Sequence, residues 1–175
     1  MSTRTDCLKR LGTMKYVKVG TEIADKYQEY AVNDEKSADI LLANGFYNQS
    51  AYYYIQSMEK LIKAAISVKV DVTQIYYATK LKAIGHSLDL AIDFYLELIC
   101  FGKEAVLAQQ LEYQLKTIVF KNIRFGRLHN SIRYPIYNER WNSYGVLQIS
   151  KEECEELKHM LIVLKKYIKQ IQLMI

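Results

Sequence analysis

Apolar residues recur at helical spacing along most of this chain, and few residues interrupt them. The 175 residues include one proline and seven glycines, and so few helix breakers favour helices over a turn-rich β fold. Apolar faces are clearest in 54–66 and 157–171, where apolar side chains return every three or four residues. The pattern predicts an all-α fold, an antiparallel bundle of four or five main helices joined by short connections.

The same periodicity predicts where the helices lie. We expect helices at 15–32, from Asp34 to about 45, from Asn48 or Ser50 to 68, at 87–99, at 103–119 and at 151–173. Ser150 and Glu153 form a capping box before the last helix. Residues 69–86 are looser, with a single turn of helix, and 126–149 are the least periodic. We interpret 1–33 as a helical N-terminal extension and 34–175 as the bundle.

Positive charge is concentrated in one part of the chain. The net charge is +5, and between residues 116 and 140 six cations stand against one anion, Glu139. Aromatic residues, including Tyr134 and Trp141, lie among these cations or next to them. Cations neutralise phosphates and aromatic rings stack on unpaired bases, so the segment fits a nucleic-acid surface. It equally fits a solvated loop anchored by aromatic side chains.

The cysteines and the hydropathy of the chain indicate its cellular environment and the ligands that it does not need. Cys7, Cys100 and Cys154 are far apart and form no CxxC pair, so we expect neither a zinc site nor a disulfide framework. A reduced, cytoplasmic location fits this usage. Residues 40–58 carry no charge, but polar residues interrupt them, so no membrane span is expected. No glycine-rich phosphate loop or metal-ligand constellation is present, and we predict no metal and no cofactor.

Three segments resemble the HEPN (higher eukaryotes and prokaryotes nucleotide-binding) domain family. Residues 37–66, "SADILLANGFYNQSAYYYIQSMEKLIKAAI", are similar to the family's first helical hairpin. The matching positions are Ala38, Leu41, Leu42, Tyr47, Ala51, Glu59, Lys60, Lys63 and Ala64. "GHSLDLAI" resembles the entry to the third helix, with His86 and Leu88 aligned, and "IRYPIY" at 132–137 resembles the element before the last helix.

The resemblance implies an all-α bundle that forms a homodimer. Many members are nucleotide- or RNA-associated proteins of prokaryotic defence and toxin–antitoxin systems, and others are partners of nucleotidyltransferases. Catalytic members are metal-independent ribonucleases in which an arginine precedes a histidine by a few residues and two copies meet across a dimer cleft. Histidine exchanges protons near neutral pH, and arginine holds a phosphate through paired hydrogen bonds, so these residue types suit RNA cleavage.

Two arginines compete for that catalytic position. Arg124 and His129 match the arginine–histidine spacing and are the candidate catalytic residues. The "RYP" element at 133–135 often stands where the family's catalytic arginine aligns, and no histidine follows Arg133 before His159 in the last helix. Which of Arg124 and Arg133 faces the cleft is open, and whether the chain is an enzyme is open with it.

The remaining candidates would bind the nucleic acid or nucleotide, or hold the binding residues in place. We expect the nucleic-acid or nucleotide surface to comprise Lys121, Arg127, Arg133, Tyr134 and Arg140. The supporting residues are Glu59, Lys63 and His86. Glu59 and Lys63 stand four residues apart on one helix, which fits either an exposed ion pair or a carboxylate pointing into the bundle or cleft. His86 fits a capping residue as well as a functional one.

Three functions therefore remain. The first is a HEPN-like nucleotide- or nucleic-acid-associated module of a defence, toxin–antitoxin or nucleotidyltransferase-linked system, with RNA, a nucleotide, a nucleotidyltransferase or an antitoxin as partner. The second is a metal-independent HEPN ribonuclease using Arg124 and His129. The third is a structural dimerisation bundle. Only the first two predict contact with nucleic acid, and only the second predicts RNA cleavage.

Overall fold

The fold is a bundle of α-helices. The computed structural model describes residues 12–13, 15–126 and 128–173, which leaves Cys7 and Arg127 outside it. The described residues form α1 (Gly20–Ala43), α2 (Tyr47–Lys69), α3 (Ile75–Ile84), α4 (Leu88–Cys100), α5 (Ala105–Tyr113), α6 (Leu128–Ser131) and α7 (Lys151–Leu173). A π-helical segment, Gln114–Val119, continues α5. An antiparallel hairpin pairs β1 (Ile136–Asn138) with β2 (Ser143–Gly145) around the 3₁₀ turn Glu139–Trp141. The all-α bundle prediction is confirmed.

Helices α1 and α2 pack closely because small residues line their contact. Ala31 and Ala38 are almost completely buried on α1. The Ser57 hydroxyl donates to the carbonyl of Ala31, and the Ser50 hydroxyl donates to the carbonyl of Ala38, both at 2.8 Å. The later residue of α2, Ser57, contacts the earlier residue of α1, Ala31, so the two helices are antiparallel.

Helix α2 is the centre of the bundle, because α1, α4 and α7 all contact it. From Tyr54 to Ser67 nearly every side chain of α2 is buried. Helix α7 closes the other side of the core with Cys154, Leu157, Met160, Leu161, Leu164, Tyr167 and Ile171. Two lysines of α7 also bind acids of α1: Lys165 pairs with Glu35, and Lys158 pairs with Asp39 at 2.8 Å.

The N-terminal helices differ from the prediction. The expected helices at 15–32 and after Asp34 are one continuous helix, α1. Asp34 does not cap a helix, because its carboxylate accepts a hydrogen bond from Lys60 of α2. The predicted boundary between extension and bundle at residue 33 falls within this helix, and the division into two units stays a prediction.

Other elements agree with the prediction in whole or in part. Helix α7 begins after the expected capping box, in which Ser150 N donates to Glu153 Oε2 at 2.8 Å and Glu153 N donates to Ser150 Oγ at 3.2 Å. Residues 69–86 hold more helix than expected, since α3 has ten residues. The aperiodic segment 126–149 contains α6 and the hairpin. None of the helices in the described ranges has the length and apolar character that crossing a membrane requires.

Candidate nucleic-acid interface

Asp89 holds the loop that carries Arg124. Ser87 caps the N-terminus of α4 and places Asp89 in the first turn. There Oδ1 of Asp89 accepts the backbone N–H of Phe125 at 3.1 Å, and Oδ2 accepts that of Gly126 at 2.8 Å. Phe125 itself is buried. One carboxylate and one buried ring therefore fix where the following turn begins.

The next turn orients His129 and Arg133. Leu128–Ser131 form the single helical turn α6, and the backbone N–H groups of Arg133 and Tyr134 then both donate to the carbonyl of Asn130 at 3.0 Å. Ile132 is buried beneath this turn. The chain thus closes tightly over an apolar anchor, which leaves the flanking polar side chains at the surface.

His129 lies against His86 and Tyr52. The two imidazole rings are parallel, with an interplanar angle of 2° and centroids 6.1 Å apart. The Tyr52 ring is 5.4 Å from His129, at an angle of 46°. Nδ1 of His129 is 3.4 Å from the side-chain oxygen of Asn130, whereas Nε2 is shielded from water and has no hydrogen-bond partner among the described residues.

A buried ion pair lies beneath His86. Glu59 is 2% exposed, and its Oε1 accepts from the Lys63 ammonium at 2.6 Å. Lys63 also donates to the carbonyl of Gly85, the residue before His86. Oε2 of Glu59 is 3.4 Å from the Gln56 amide nitrogen and 3.9 Å from Nδ1 of His86. The pair therefore ties α2 to the loop that presents His86. We call Glu59, Lys63, His86 and His129 the histidine cluster.

Arg133 lies between two tyrosines next to this cluster. The centre of its guanidinium is 5.2 Å from the Tyr52 ring and 5.0 Å from the Tyr134 ring, and Nη2 donates to the Tyr134 hydroxyl at 3.0 Å. These distances are typical of cation–π contacts. A surface cavity of about 340 Å³ opens here, lined by Gln49, Tyr52, Tyr53, Ile132, Arg133 and Tyr134.

Arg124 lies in different surroundings. It is exposed and lines a smaller cavity of about 100 Å³ with Asp89, Asp93 and Lys116, among others. Its side chain has no hydrogen bond or ion pair with any residue that the structure describes. Within one chain, Arg133 and His129 both contact the ring of Tyr52. Arg124 has no such shared contact with His129 among the described residues.

The other predicted binding residues are dispersed. Lys121 pairs with Glu156 of α7 at 2.6 Å. Arg140 lies over the Trp141 ring, 5.1 Å from its centre, on the hairpin. Arg127 lies outside the described residues. Tyr134 is beside Arg133, so two of the five predicted binding residues contact each other directly.

Two residues of this surface escaped the sequence prediction. Tyr52 links Arg133 to His129, because its ring contacts both side chains. Asp89 acts through backbone contacts to a loop far along the chain. No local pattern marks such a contact, because backbone N–H groups are present at nearly every residue.

Neither a metal site nor a known relative identifies the function of this surface. Among the described residues there is no group of three or more histidine, cysteine, aspartate or glutamate side chains placed to hold a metal ion. No protein-family model, curated protein or solved structure matches the chain. The function proposed below therefore depends on the geometry of this surface and on the sequence resemblance.

Proposed function

We propose that the chain is a HEPN-like module that binds single-stranded RNA on the surface around Arg133. The observation that carries the proposal is the Arg133 guanidinium held between Tyr52 and Tyr134, beside His129. In the same proposal the module functions in a prokaryotic defence, toxin–antitoxin or nucleotidyltransferase-linked system, as a homodimer or with such a partner protein.

The chemistry of this surface suits unpaired RNA. Tyr134 is 57% exposed, so a base can stack on its ring, while the guanidinium beside it binds the neighbouring phosphate. Stacking needs an unpaired base, because bases within a duplex already stack on each other. The arrangement therefore favours single strands over duplexes.

The hairpin also carries exposed aromatic rings and an arginine. Tyr137 and Tyr144 face each other across its strands with ring centroids 5.3 Å apart, and both are about half or more exposed. Arg140 and Trp141 add a second pairing of a cation with an exposed ring. Because the hairpin begins at Ile136, shortly after Arg133 in the sequence, we include these rings in the proposed RNA surface.

Binding is tested by fluorescence anisotropy with a short labelled single-stranded RNA. Arg133→Ala and Tyr134→Ala should each weaken binding by about tenfold, as expected for loss of one stacked or charged contact. Arg124→Ala is the matched variant, since it removes the same charge from the neighbouring cavity and should weaken binding less. Binding should also fall steeply with salt. Equal losses for Arg133→Ala and Arg124→Ala would contradict this location.

Two alternative functions predict different results for the same variants. A ribonuclease using Arg124 and His129 requires another copy of the chain to bring the two groups together, because they have no described side-chain contact within one chain. It predicts RNA cleavage that Arg124→Ala abolishes. A structural dimerisation bundle predicts no RNA affinity at low salt, together with a stable dimer in sedimentation experiments.

A further inference from the structure

The cavity beside Arg133 contains a side-chain amide that the fold does not use. Gln49 lines this cavity of about 340 Å³ together with Tyr52, Tyr53, Ile132, Arg133 and Tyr134. Its side chain is exposed and has no hydrogen bond with any residue that the structure describes. Because an amide both donates and accepts hydrogen bonds, this side chain presents an unused polar group to a molecule that enters the cavity.

The other two side-chain amides of α2 have structural roles. Asn48 donates to the carbonyl of Leu147 and accepts the backbone N–H of Ile149, both at 2.8 Å. The amide nitrogen of the buried Gln56 is 3.4 Å from Glu59. Contacts within the described part of the chain therefore explain these two amides and leave the amide in the cavity unexplained.

The helical spacing of α2 places Gln49 beside two aromatic rings. Tyr52 and Tyr53 follow it by three and four residues, and at this spacing Cβ atoms lie about 5–6 Å apart on one helix face. The two rings pack edge to face, with centroids 5.4 Å apart at an angle of 76°. The exposed ring of Tyr134 lines the same cavity. A flat heterocycle that stacks in this cavity therefore has a neutral donor and acceptor near its edge.

We propose that Gln49 selects adenine among the bases of the single-stranded RNA that this surface binds. The proposal rests on the function proposed above, because Arg133 would hold a phosphate while Tyr134 stacks on the base. Glutamine pairs with adenine through two hydrogen bonds: its carbonyl accepts from the 6-amino group, and its N–H donates to an adjacent ring nitrogen. An unpaired adenine presents these atoms because no complementary strand occupies them.

The chemistry of the cavity favours adenine over the other three bases. Uracil and cytosine have a single ring and stack over less of an aromatic side chain than a purine does. Guanine carries a carbonyl oxygen where adenine carries its amino group, and its usual partner is arginine. In the proposed site the Arg133 guanidinium binds a phosphate, which leaves the neutral amide of Gln49 to pair with the base.

Base selection is measured by fluorescence anisotropy with short labelled uridine oligonucleotides that carry adenine, guanine, cytosine or uracil at one central position. Wild-type protein should bind the adenine RNA about tenfold more tightly than the other three, as expected for one pair of hydrogen bonds. Gln49→Ala should lose this preference. Gln109→Ala is the matched control and should keep it, because Gln109 is exposed on α5 and does not line the cavity. A wild-type preference for another base, or an adenine preference that survives in Gln49→Ala, would overturn the proposal.

A modified base tests the hydrogen bond itself. Unsubstituted purine lacks the 6-amino group of adenine but keeps both rings, and therefore most of the stacking. Replacing the central adenine by purine should weaken wild-type binding by about fivefold. The same replacement should have no effect on Gln49→Ala, which lacks the amide. Equal weakening in both proteins would place the contact to the amino group elsewhere and reject the role of Gln49.

A second substitution changes the selected base. The carboxylate of Gln49→Glu only accepts hydrogen bonds, so it suits the amino group of cytosine as well as that of adenine. Its negative charge should weaken binding of all four RNAs, and the preference for adenine over cytosine should disappear. An adenine preference as strong as that of the wild type would contradict the assignment.

Folding is checked by circular dichroism melting of each variant. Gln49→Ala should melt like the wild type, because the Gln49 side chain is exposed and has no partner among the described residues. A clearly lower melting temperature would show that the amide has a structural role, contrary to the premise of the proposal.

The failure of this proposal is distinguishable from that of the binding function. Arg133→Ala should weaken binding of all four RNAs alike, because a phosphate contact does not depend on the base. Binding that depends on Arg133 but is equal for all four RNAs overturns base selection and leaves the binding function intact. Absence of binding to all four RNAs overturns both.

Discussion

Helix α2 carries two polar clusters that differ in how completely their groups are paired. In the first, which we call the Asp39 cluster, the Tyr54 hydroxyl donates to Asp39 at 2.6 Å and the Lys158 ammonium is 2.8 Å from the same oxygen. These three groups join α1, α2 and α7. Because each group of the cluster has its partner within the fold, the stability of the bundle is a sufficient explanation for it.

In the histidine cluster only Glu59 and Lys63 form a close, buried ion pair. Glu59 and Lys63 satisfy each other in the interior, but His86 extends into solvent and His129 keeps an unpartnered Nε2 among the described residues. Packing explains the ion pair and leaves the imidazoles unexplained. The comparison indicates that a polar cluster with unmet hydrogen bonds at the surface is the better candidate for ligand binding.

The largest expected effect comes from removing the base of the histidine cluster. Glu59→Ala leaves the buried Lys63 ammonium without its anion, and this should lower the free energy of unfolding by about 3–5 kcal/mol. Urea denaturation measures the change. The matched variant is Glu155→Ala, which breaks the exposed Lys151–Glu155 pair and should cost less than about 0.5 kcal/mol. Similar losses in both variants would show that burial of Glu59 has no special importance.

The position of His129 depends on Asp89, so a smaller effect is expected there. Asp89→Ala removes the acceptor of two backbone N–H groups, at Phe125 and Gly126, and should cost about 2 kcal/mol. Hydrogen exchange should accelerate at these two amides before any global change. Asp93→Ala, on the exposed face of the same helix, is the control. Unchanged exchange at both amides would contradict the predicted anchoring.

The Asp39 cluster predicts a still smaller, pH-dependent effect. Tyr54→Phe removes one hydrogen bond and should cost about 1 kcal/mol near neutral pH. Burial raises the pKa of the Asp39 carboxyl, but hydrogen bonds from Lys158 and Tyr54 outweigh it and hold that pKa below its ordinary value. A carboxylate with a lowered pKa stabilises the fold above its unfolded-state pKa and loses that effect as the pH falls through its folded-state pKa.

The difference between wild type and Tyr54→Phe should therefore shrink in acid, below about pH 4. Thermal unfolding at neutral pH and near pH 3 measures it. Tyr95→Phe is the matched control, because the Tyr95 hydroxyl is buried without a partner among the described residues. Its removal should cost nothing at either pH. A cost for Tyr54→Phe that persists undiminished in acid would show that Asp39 is not its effective partner.

The sequence predicted the parts of the fold that local rules determine. Helix α7 follows from its apolar period and from Ser150 and Glu153, which meet within one turn. The helix break at Asp34 was wrong because a capping residue is also a possible ion-pair partner, and Lys60 of α2 supplies the competing contact. Which role such a residue takes depends on contacts with another helix, and the local sequence pattern does not show those contacts.

The sequence predicted most residues of the candidate site, without Tyr52 and Asp89, but it did not predict which of them lie together. Arg133, Tyr134, His129, His86 and Glu59 were all identified from the sequence. Their grouping depends on long-range contacts, such as the one between the rings of His86 and His129. The basic segment also does not distinguish Arg124 from Arg133, because the difference lies in the side chains of α2 and α4 that each one meets.

The smallest expected effect is on RNA affinity in Arg133→Lys, a substitution that distinguishes the charge of Arg133 from its planar shape. Arg133→Lys keeps the positive charge but loses the planar group that lies over Tyr52 and Tyr134. At an exposed site such contacts contribute about 0.5–1 kcal/mol, so RNA binding should weaken by about threefold, less than in Arg133→Ala. Anisotropy at two salt concentrations checks it, because the salt dependence should match that of the wild type while the affinity falls. Wild-type affinity in Arg133→Lys would mean that charge alone accounts for binding, and the two tyrosines would then have no part in it.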